Sequence, residues 1–600
     1  MHISSAITFL VASLIASASA AIIPCSDVTY KVIAAVPSNE TVGVVVDDTV
    51  YPLTSTSKYS TLLHIGEAPM ASSGYQYAIL NKANNEIIRK ENFIRQPVDD
   101  STLNEVYDRS WNTKSLVQLP TIMKPLPIIH RIKSSLHVDG QIPVIHITGN
   151  QTAVDYIHNH RAEDIEITMN MTYISPNKIK TFKEITMAIS GCSTRLASKL
   201  SYKIKMPEGK NLYGYRTVKL RSMAFDLTYM KEELAYNIAE SVGLATTKYS
   251  YVRVYINDKP IGLFGLAEAF KGPWIRNEFA NGNKKYKQGA LYIADMNGGA
   301  ACLANQLNAP SHNSTAQHNE ATVNRNTKRD VAISTHPSPD LSYLGTNLTV
   351  YSHFYLAKDK SYKGTTDYAK LMKLTKFISK QPNNITLTDA VVPLWKKKFD
   401  MESVLRTLAF EIVICNVDSY LVTSNNFILY EDLAADRFMM SSQDLDLTMG
   451  INILNPSIFF GGNWTEYPGV LTKPLTSRLM AVPGFKKELG RLILRYTKKL
   501  VNPKVLFPRI DQLYDMLKGE VEWDLNIQYS NNAKTFWSMA ETEMKLANTT
   551  DSNSTSTDIN TSNVFDICVN GETHIPIFMG LKEWIKLRSS NILTFFNQTL

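Results

Sequence analysis

The sequence has few cysteines, and they are far apart. Its five cysteines include no Cys-x-x-Cys motif, so a zinc site is not expected. At most two disulfides can form, which leaves one thiol over. Cys415 lies within an apolar run, and we expect it to be a buried free thiol. The others are Cys25, Cys192, Cys302 and Cys568.

Two further absences limit the classes of function. After the first 20 residues, no segment reaches the roughly 18 consecutive apolar residues of a membrane span. Lys and Arg number 63 against 55 Asp and Glu, which gives a formal net charge of only +8. Since no basic helix or aromatic–basic motif stands out, we expect neither a membrane-spanning segment nor a nucleic-acid partner.

The first 20 residues, MHISSAITFLVASLIASASA, have the pattern of a secretory signal peptide. An apolar centre at 7–15 is followed by Ala18-Ser19-Ala20, the small residues typical of a cleavage site. Repeated Asn-x-Ser/Thr acceptor sequences support entry into the secretory pathway, so we expect a secreted, N-glycosylated protein. The acceptor asparagines are at 39, 150, 170, 313, 347, 384, 463, 548, 553, 560 and 597.

The length of 600 residues predicts more than one compact unit. Residues 21–95 alternate apolar and polar positions between turn signals, which predicts a small β-sandwich-like module without catalytic residues. Residues 96–142 are rich in Pro, Asp and Ser and are predicted to be a linker. The stretch 271–345 is rich in Asn, Gly, Ser and His and is predicted to be a long, partly disordered insertion. A Thr/Ser/Asn-rich glycosylated loop is predicted at 547–563, before a C-terminal helix in 564–600.

Residues 143–270 carry the first group of candidate functional residues. The strand RTVKLRSM places Lys219 and Arg221 on one face, because alternate strand residues point the same way. A helix follows, with Asp226 as its expected N-cap, Glu232 in its first turn and Gly243 after its end. A further strand ends in an acid, Glu268. A strand lysine with a helix glutamate is typical of a kinase small lobe, although the same residues could be surface charges of an α+β unit.

The second group lies within Glu411 to Gly450. An apolar run leads to Asp418, a polar loop contains Asn425 and Asn426, and Asp444 and Asp446 follow a short strand and a turn. One acid that orients a hydroxyl, with an amide and paired acids that hold a metal against phosphates, is what magnesium-dependent phosphoryl transfer requires. Ordinary turn acids on a surface would explain the spacing equally well.

Taken together, four segments resemble the CotH kinase family of spore-coat protein kinases, in particular its secreted fungal branch with invasin-type surface proteins. The resemblance implies an α+β fold with an atypical protein-kinase-like, two-lobed core. The small lobe is expected at 143–270 and the helical large lobe, with the catalytic and metal loops, at 346–546. The matching segments are VKLRSMAFDLTYMKEELAYNIAESVG, YVRVYINDKPIGLFGLAEAF, and DSYLVTSNNFILY with QDLDLTMG.

The same resemblance implies a role for each candidate residue. Asp418 is expected to be the catalytic acid. Asn426, Asp444 and Asp446 are expected to hold Mg²⁺ or Mn²⁺. ATP is expected to contact Lys219 through its phosphates, with Glu232 as the partner of that lysine and Glu268 near the base. The family usually has Arg-Glu at the helix start, Asn-Gly in the hairpin and Pro-Trp before the metal acid. Here these pairs are Lys231-Glu232, Asn257-Asp258 and Ser442-Gln443.

Two functions follow from these expectations. The first is a kinase that transfers the γ-phosphate of ATP to Ser or Thr of spore-coat, cell-wall or secretory proteins. The second is a weakly active or inactive kinase-fold surface protein, an invasin or adhesin, that binds host receptors or wall partners. The convergent acids favour the first, and the glycosylated loops and the insertion favour the second. Either function implies a location at the cell surface, in the spore coat or outside the cell.

Overall fold

A computed structural model shows a chain with two compact units, Met1–Ser110 and Trp111–Leu600. Both strands and helices are abundant, which confirms the predicted α+β class. The signal-like segment and most of the predicted insertion lie outside the residues that the structure describes. The described residues are 27–56, 58–191, 193–296, 338–383, 388–451, 459–527, 561–573 and 579–600.

The first unit is a seven-stranded sheet with the order β6-β5-β2-β3-β4-β1-β7. Alternating apolar residues such as Val28, Tyr30 and Val32 on β1 are fully buried and supply its core. The division of these strands into the two layers of a sandwich stays a prediction. The strands are β1 (Asp27–Ile33), β2 (Glu40–Val46), β3 (Thr49–Thr56), β4 (Ser60–Pro69), β5 (Tyr75–Asn81), β6 (Ile87–Lys90) and β7 (Glu105–Val106).

This unit extends beyond its predicted end at residue 95. Strand β7 lies in the segment expected to be a linker and pairs in parallel with β1. Buried Arg95 donates to Glu91 at 2.7 Å and to Glu105 at 3.1 Å, and two tyrosine hydroxyls also donate to Glu105. Because a buried charge must be paired, these contacts fix the polar segment onto the sheet.

The second unit begins with a closed seven-stranded barrel, in the order β10-β11-β12-β14-β13-β8-β9. Its interior is filled by buried apolar side chains such as Ile145, Met187, Val218 and Phe264. The strands are β8 (Val144–Thr148), β9 (Glu166–Ser175), β10 (Lys178–Ser190), β11 (Ser201–Lys205), β12 (Thr217–Arg221), β13 (Tyr249–Ile256) and β14 (Lys259–Glu268).

The helix between β12 and β13, α2 (Lys231–Ser241), begins later than its sequence suggests. Its N-cap is Met230 rather than Asp226. Asp226 nevertheless accepts a hydrogen bond from the first helical N–H, that of Lys231, at 2.8 Å. The carboxylate of Asp226 therefore pairs with a backbone N–H that has no partner within the helix. Glu232 lies in the first turn of the helix, as predicted.

The rest of the second unit is a four-stranded sheet, in the order β16-β15-β17-β18, surrounded by helices. Helix α3 and strand β15 lie within the segment predicted as an insertion, and β15 pairs with both β16 and β17. The strands are β15 (Leu291–Ala294), β16 (Tyr355–Asp359), β17 (Phe427–Asp432) and β18 (Arg437–Ser442). The other helices are α1 (Gln151–Asn159), α3 (Gly272–Phe279), α4 (Leu348–Phe354), α5 (Tyr368–Ser379), α6 (Val392–Lys396), α7 (Met401–Ile414), α8 (Pro474–Met480), α9 (Pro483–Lys499), α10 (Pro503–Leu525), α11 (Thr561–Asn570) and α12 (Leu581–Phe595).

Helix α7 is the central element of this part of the molecule, and nearly all of its residues are buried. It ends at Ile414 because Cys415 adopts a left-handed conformation, with φ of 57°. Cys415 and Cys568 are buried free thiols, which confirms the prediction for Cys415. Across the ranges described above, no helix combines the length and apolar character needed to cross a membrane.

Helix α10 joins the barrel to the helical part through buried ion pairs. Glu520 pairs with Arg253 of β13 at 2.6 Å, and Asp524 pairs with Lys199 at 2.8 Å. Arg509 pairs with Glu233, the neighbour of Glu232 on α2. Since breaking one partner of a buried pair is costly, these contacts hold α2 and the barrel against the helices.

Candidate active site

Arg221 at the end of β12 contacts three carboxylates. Its Nε donates to Glu232 of α2 at 2.9 Å. Its Nη2 donates to Asp444 Oδ1 and lies 3.3 Å from Asp446 Oδ2. The arginine is buried, so the contacts are shielded from water and strengthened. One guanidinium thus joins the barrel, helix α2 and the loop that follows β18.

Lys219 lies two residues before Arg221 on the same face of β12, as the alternation of the strand predicts. Burial and the neighbouring Arg221 lower the pKa of Lys219, although the nearby acids, with Asp444 first, oppose this shift. Within the described part of the chain its ammonium group makes no ion pair. Glu232, its expected partner, pairs with Arg221 instead.

Asp418 lies in the loop after α7 and accepts several hydrogen bonds. Thr423 Oγ1 donates to its Oδ1 at 2.8 Å, and Asn426 Nδ2 donates to its Oδ2 at 2.6 Å. Asn425 Nδ2 lies 3.3 Å from Oδ1. Burial nevertheless raises the pKa of Asp418, with help from the charges of Asp444 and Asp295. A carboxylate with a raised pKa is a stronger proton acceptor.

The hairpin formed by β17 and β18 brings the loop amide and the acid pair together. Phe427 pairs with Ser442, so the residues just outside the pairing, Asn426 and Gln443, are adjacent. The Gln443 N–H donates to the Asn426 carbonyl at 2.9 Å. Both Asn426 and Asp444 have positive φ, 50° and 55°, a conformation that costs energy for a non-glycine residue. These turns direct the chain back toward Asp418.

Two backbone hydrogen bonds connect the Asp418 loop to the acid loop. Val417 N–H donates to the Leu447 carbonyl at 3.1 Å, and Met449 N–H donates to the Ile414 carbonyl at 3.0 Å. Glu411 adds a side-chain connection beneath them. It accepts from Ser442 Oγ at 2.7 Å and from the Leu421 N–H at 3.2 Å. These hydrogen bonds therefore fix the position of the Asp418 loop relative to the acid loop.

The two acids of the pair differ in their ionisation. Burial alone would raise the pKa of Asp444, but Arg221 and Lys219 together lower it. Burial and the charges of Asp444, Glu232 and Asp418 raise the pKa of Asp446 to about 8, against the opposing effect of Arg221. Three carboxylates therefore share one guanidinium, and Asp444 is the member of the pair that ionises more readily.

A cleft of about 550 Å³ opens between the barrel and the four-stranded sheet beside these residues. Lys219, Asn425, Asn426 and Asp444 line it, and Asp418 lies behind the two asparagines to which it is hydrogen-bonded. The segment that follows β14, Ala269 to Lys271, also lines the cleft. The sequence-predicted lysine, amide and acids are therefore brought to one place.

Glu268 is the exception. It is buried, and its carboxylate accepts a hydrogen bond from Asn277 Nδ2 at 2.6 Å. Burial raises its pKa well above the ordinary range. It is not among the described residues that line the cleft, although its neighbour Ala269 is. Its expected role near the nucleotide base stays a prediction.

No group of three or more His, Cys, Asp or Glu side chains in the described ranges is spaced to hold a metal alone. Mg²⁺, however, is usually held by one or two carboxylates, with water and phosphate oxygens completing its shell. Asn426 uses its Nδ2 toward Asp418, which leaves its Oδ1 as a donor to a cation. With the ionised carboxylate of Asp444 and the neighbouring carboxyl group of Asp446, this set of oxygen donors fits Mg²⁺ or Mn²⁺ bound together with phosphates.

A second cleft of similar volume lies between α6, α7 and α9. Its lining is mainly apolar, and four of its charged residues form two ion pairs, Arg406 with Glu402 and Arg491 with Glu488. Because the predicted lysine, amide and metal-binding acid line the first cleft, we place the candidate active site there.

Sequence reasoning missed the roles of Arg221 and Glu411. The alternation of the strand places Arg221 on the face of Lys219, but its contact with the acid pair depends on residues more than 200 positions away. Glu411 lies in an apolar helical run, and a buried acid in such a run is the one signal that could have identified it.

A strand lysine, a loop amide and an acid line one cleft, with a helix glutamate, a loop aspartate and a second acid next to them, and this arrangement is similar to that of a kinase-like protein. The chain belongs to the CotH kinase protein family, whose family model matches residues 187–546. That range includes Lys219, Arg221 and Glu232 as well as the acid loops.

Several curated proteins of Rhizopus delemar are similar to this chain. Invasin CotH3 is 24% identical over 462 residues, which cover 75% of this chain and 68% of that protein. Invasin CotH2 is 23% identical over 465 residues, 75% of this chain and 69% of that protein. Spore coat protein homolog 1 is 24% identical over 463 residues, 76% of this chain and 67% of that protein.

Proposed function

We propose that this chain is a secreted protein kinase with a two-lobed, kinase-like core. It transfers the γ-phosphate of ATP to Ser or Thr of spore-coat, cell-wall or secretory proteins. The observation that carries the proposal is the convergence of Lys219, Asn426 and Asp444 on one cleft with Asp418 directly behind. Family membership and the spore-coat name of one relative support it.

In this proposal Asp418 acts on the acceptor hydroxyl. As the acceptor oxygen bonds to the γ-phosphorus, the bond from that phosphorus to the β–γ bridging oxygen breaks and ADP leaves. The hydroxyl proton passes to the Asp418 carboxylate. The raised pKa of Asp418 favours that transfer, and the bond from Thr423 at 2.8 Å keeps the carboxylate oriented.

Lys219 binds phosphate oxygens, because this residue lines the cleft and its ammonium group has no acid partner in the described residues. Arg221 keeps Glu232, Asp444 and Asp446 in place around it. Asn426, Asp444 and Asp446 would hold Mg²⁺ or Mn²⁺, which when bound supplies positive charge against the phosphate oxygens. Glu268 would be the acid near the nucleotide base.

The alternative is a weakly active or inactive kinase-fold surface protein that binds host receptors or wall partners. Two of the similar proteins are named invasins, which favours this alternative. One structural feature also favours it, since the Arg221 guanidinium already engages Asp444 Oδ1 and Asp446. A cation that binds Asp444 must compete with this arginine.

A calorimetric titration with ATP and Mg²⁺ distinguishes the two functions. We expect saturable binding by the wild type and a loss of affinity in Lys219→Ala and Asp444→Ala. Asp436→Ala is the matched control, since Asp436 lies in the turn of the same hairpin and its side chain is 91% exposed. Wild-type protein that binds no nucleotide would leave only the surface-protein function.

Secretion and N-glycosylation are part of the proposal. Among the described acceptor asparagines, Asn39, Asn150, Asn170, Asn347 and Asn597 are exposed and therefore accessible to glycan transfer. Protein from the native host should lose mass on treatment with an N-glycosidase. An unchanged mass would argue against passage through the secretory pathway.

A further inference from the structure

A second lysine faces the candidate active site from the opposite wall of the cleft. Lys358 lies on β16, an edge strand of the four-stranded sheet, whereas Lys219 lies on β12 of the barrel. Both side chains line the same cleft. Lys358 was not singled out from the sequence, because it lies in a short strand without a recognisable motif.

The cations of this cleft fall into two groups. Arg195 pairs with Asp164, and Lys203 pairs with Glu166 at 3.2 Å. Lys219, Lys271 and Lys358 make no side-chain ion pair or hydrogen bond with any residue that the structure describes. The cleft therefore contains three lysines that come from separate parts of the chain and have no acid partner among the described residues.

These lysines affect one another electrostatically. Burial is the main cause that lowers the pKa of Lys358, and Lys219 is the next, while Asp295 and Asp164 oppose the shift and Lys203 adds a smaller lowering effect. Burial also lowers the pKa of Lys271, together with Lys203 and Lys358. Partly buried like charges without partners are unfavourable in the free protein, and a bound polyanion would relieve that cost.

Lys219 and Lys358 line the same cleft as Asp444 but belong to different walls of it, the barrel and the four-stranded sheet. Lys219 is electrostatically coupled to Asp444, Glu232 and Asp446, whereas Lys358 is coupled first to Lys219 and then to Asp295 and Asp164. A polyphosphate bound beside Asp444 would therefore lie between a lysine of the barrel and a lysine of the sheet.

We propose that Lys358 is a second phosphate-binding residue, and that it and Lys219 clamp the polyphosphate of a nucleoside triphosphate from two different sheets. The inference rests on the proposed nucleotide-binding function of the cleft and adds a residue to it. Since the clamp connects β16 to β12, the bound polyphosphate also cross-links the sheet and the barrel. Each lysine contributes a point charge that can move with the phosphate.

The test measures binding of adenosine, AMP, ADP, ATP and inorganic triphosphate by calorimetry, with wild type, Lys358→Gln and Lys358→Arg. A charge-assisted hydrogen bond predicts that Lys358→Gln weakens ATP and triphosphate binding about 10- to 100-fold. AMP should lose less and adenosine nothing, and Lys358→Arg should retain most of the affinity. Lys360→Gln, an exposed lysine two residues away, is the matched control.

The outcomes separate this inference from the proposed function. If the wild type binds ATP and Lys358→Gln binds ATP and triphosphate equally well, the inference is wrong and the nucleotide site stands. If the wild type binds inorganic triphosphate, Lys358→Gln weakens that binding, and no nucleotide binds, then Lys358 is a phosphate-binding residue but the proposed function is wrong. Equal weakening of adenosine and ATP would show a general distortion of the cleft and would overturn the inference.

Discussion

Glu411 is a fully buried acid that connects the two loops of the candidate active site. It accepts from Ser442 Oγ at 2.7 Å and from the Leu421 N–H at 3.2 Å. Burial raises its pKa from the ordinary value of 4.5 to about 7, and the hydrogen bonds oppose this only in part. The folded protein therefore holds the Glu411 proton more tightly than the unfolded chain does.

The size of the effect follows from that difference. One pKa unit corresponds to about 1.4 kcal/mol, so a shift from 4.5 to about 7 makes the folded state about 3 kcal/mol less stable at high pH. The cost is absent below pH 4.5, grows as the pH rises to 7 and is constant above that. Glu411→Gln resembles the protonated acid in shape and never ionises. The difference in the free energy of unfolding between Glu411→Gln and the wild type should therefore increase by about 3 kcal/mol, in favour of the variant, as the pH is raised from 4.5 to 8.

Denaturant unfolding followed by tryptophan fluorescence measures this difference. All seven tryptophans lie at or beyond Trp111, so the signal reports on the second unit alone. Glu402→Gln on the same helix is the control, because its side chain is 54% exposed. A difference between Glu411→Gln and wild type that is constant from pH 4.5 to pH 8 would refute the reasoning.

Two further predictions concern the acids around the cleft. Arg221→Met should lower the free energy of unfolding of the second unit by about 3–5 kcal/mol, because it leaves Glu232, Asp444 and Asp446 without their shared partner. The same fluorescence assay measures it, and a loss below about 1 kcal/mol would show that the network is dispensable. For phosphoryl transfer, kcat/KM should fall as the pH drops, with a midpoint above the ordinary aspartate value of 3.8, because Asp418 must be ionised and burial raises its pKa. A rate that is independent of pH down to 3.8 would remove Asp418 from the role of proton acceptor.

Much of the second unit follows from sequence patterns. The strands that become β12, β13 and β14 alternate clearly, and the apolar residues of α2 at 230, 234, 238 and 242 are all fully buried as their spacing predicts. Strands β15 and β16 did not stand out, because each has only four or five residues in a polar region and forms through pairing with distant strands. Short strands of this kind are defined by their partners rather than by their own composition.

The sequence was sufficient to predict which residues form the candidate site, but not which of them form ion pairs with each other. Asp418, Asn426 and Asp444 stand at recognisable positions, and the hairpin register brings them together. The partner of Glu232 could not be read from the sequence, because Lys219 and Arg221 share one strand face and only the path of the acid loop decides between them. The unpaired lysines of the cleft depend in the same way on which acids the fold brings near them.

Phosphoryl transfer from labelled ATP tests the central claim most directly. Purified protein with Mg²⁺ or Mn²⁺ should incorporate label from the γ-phosphate into its own Ser or Thr residues or into a Ser-rich substrate. Asp418→Ala and Asp444→Ala should abolish incorporation, while Asp436→Ala should not. Equal incorporation by the wild type and both site variants, or none by any of them, would contradict the assignment of this cleft as a kinase active site.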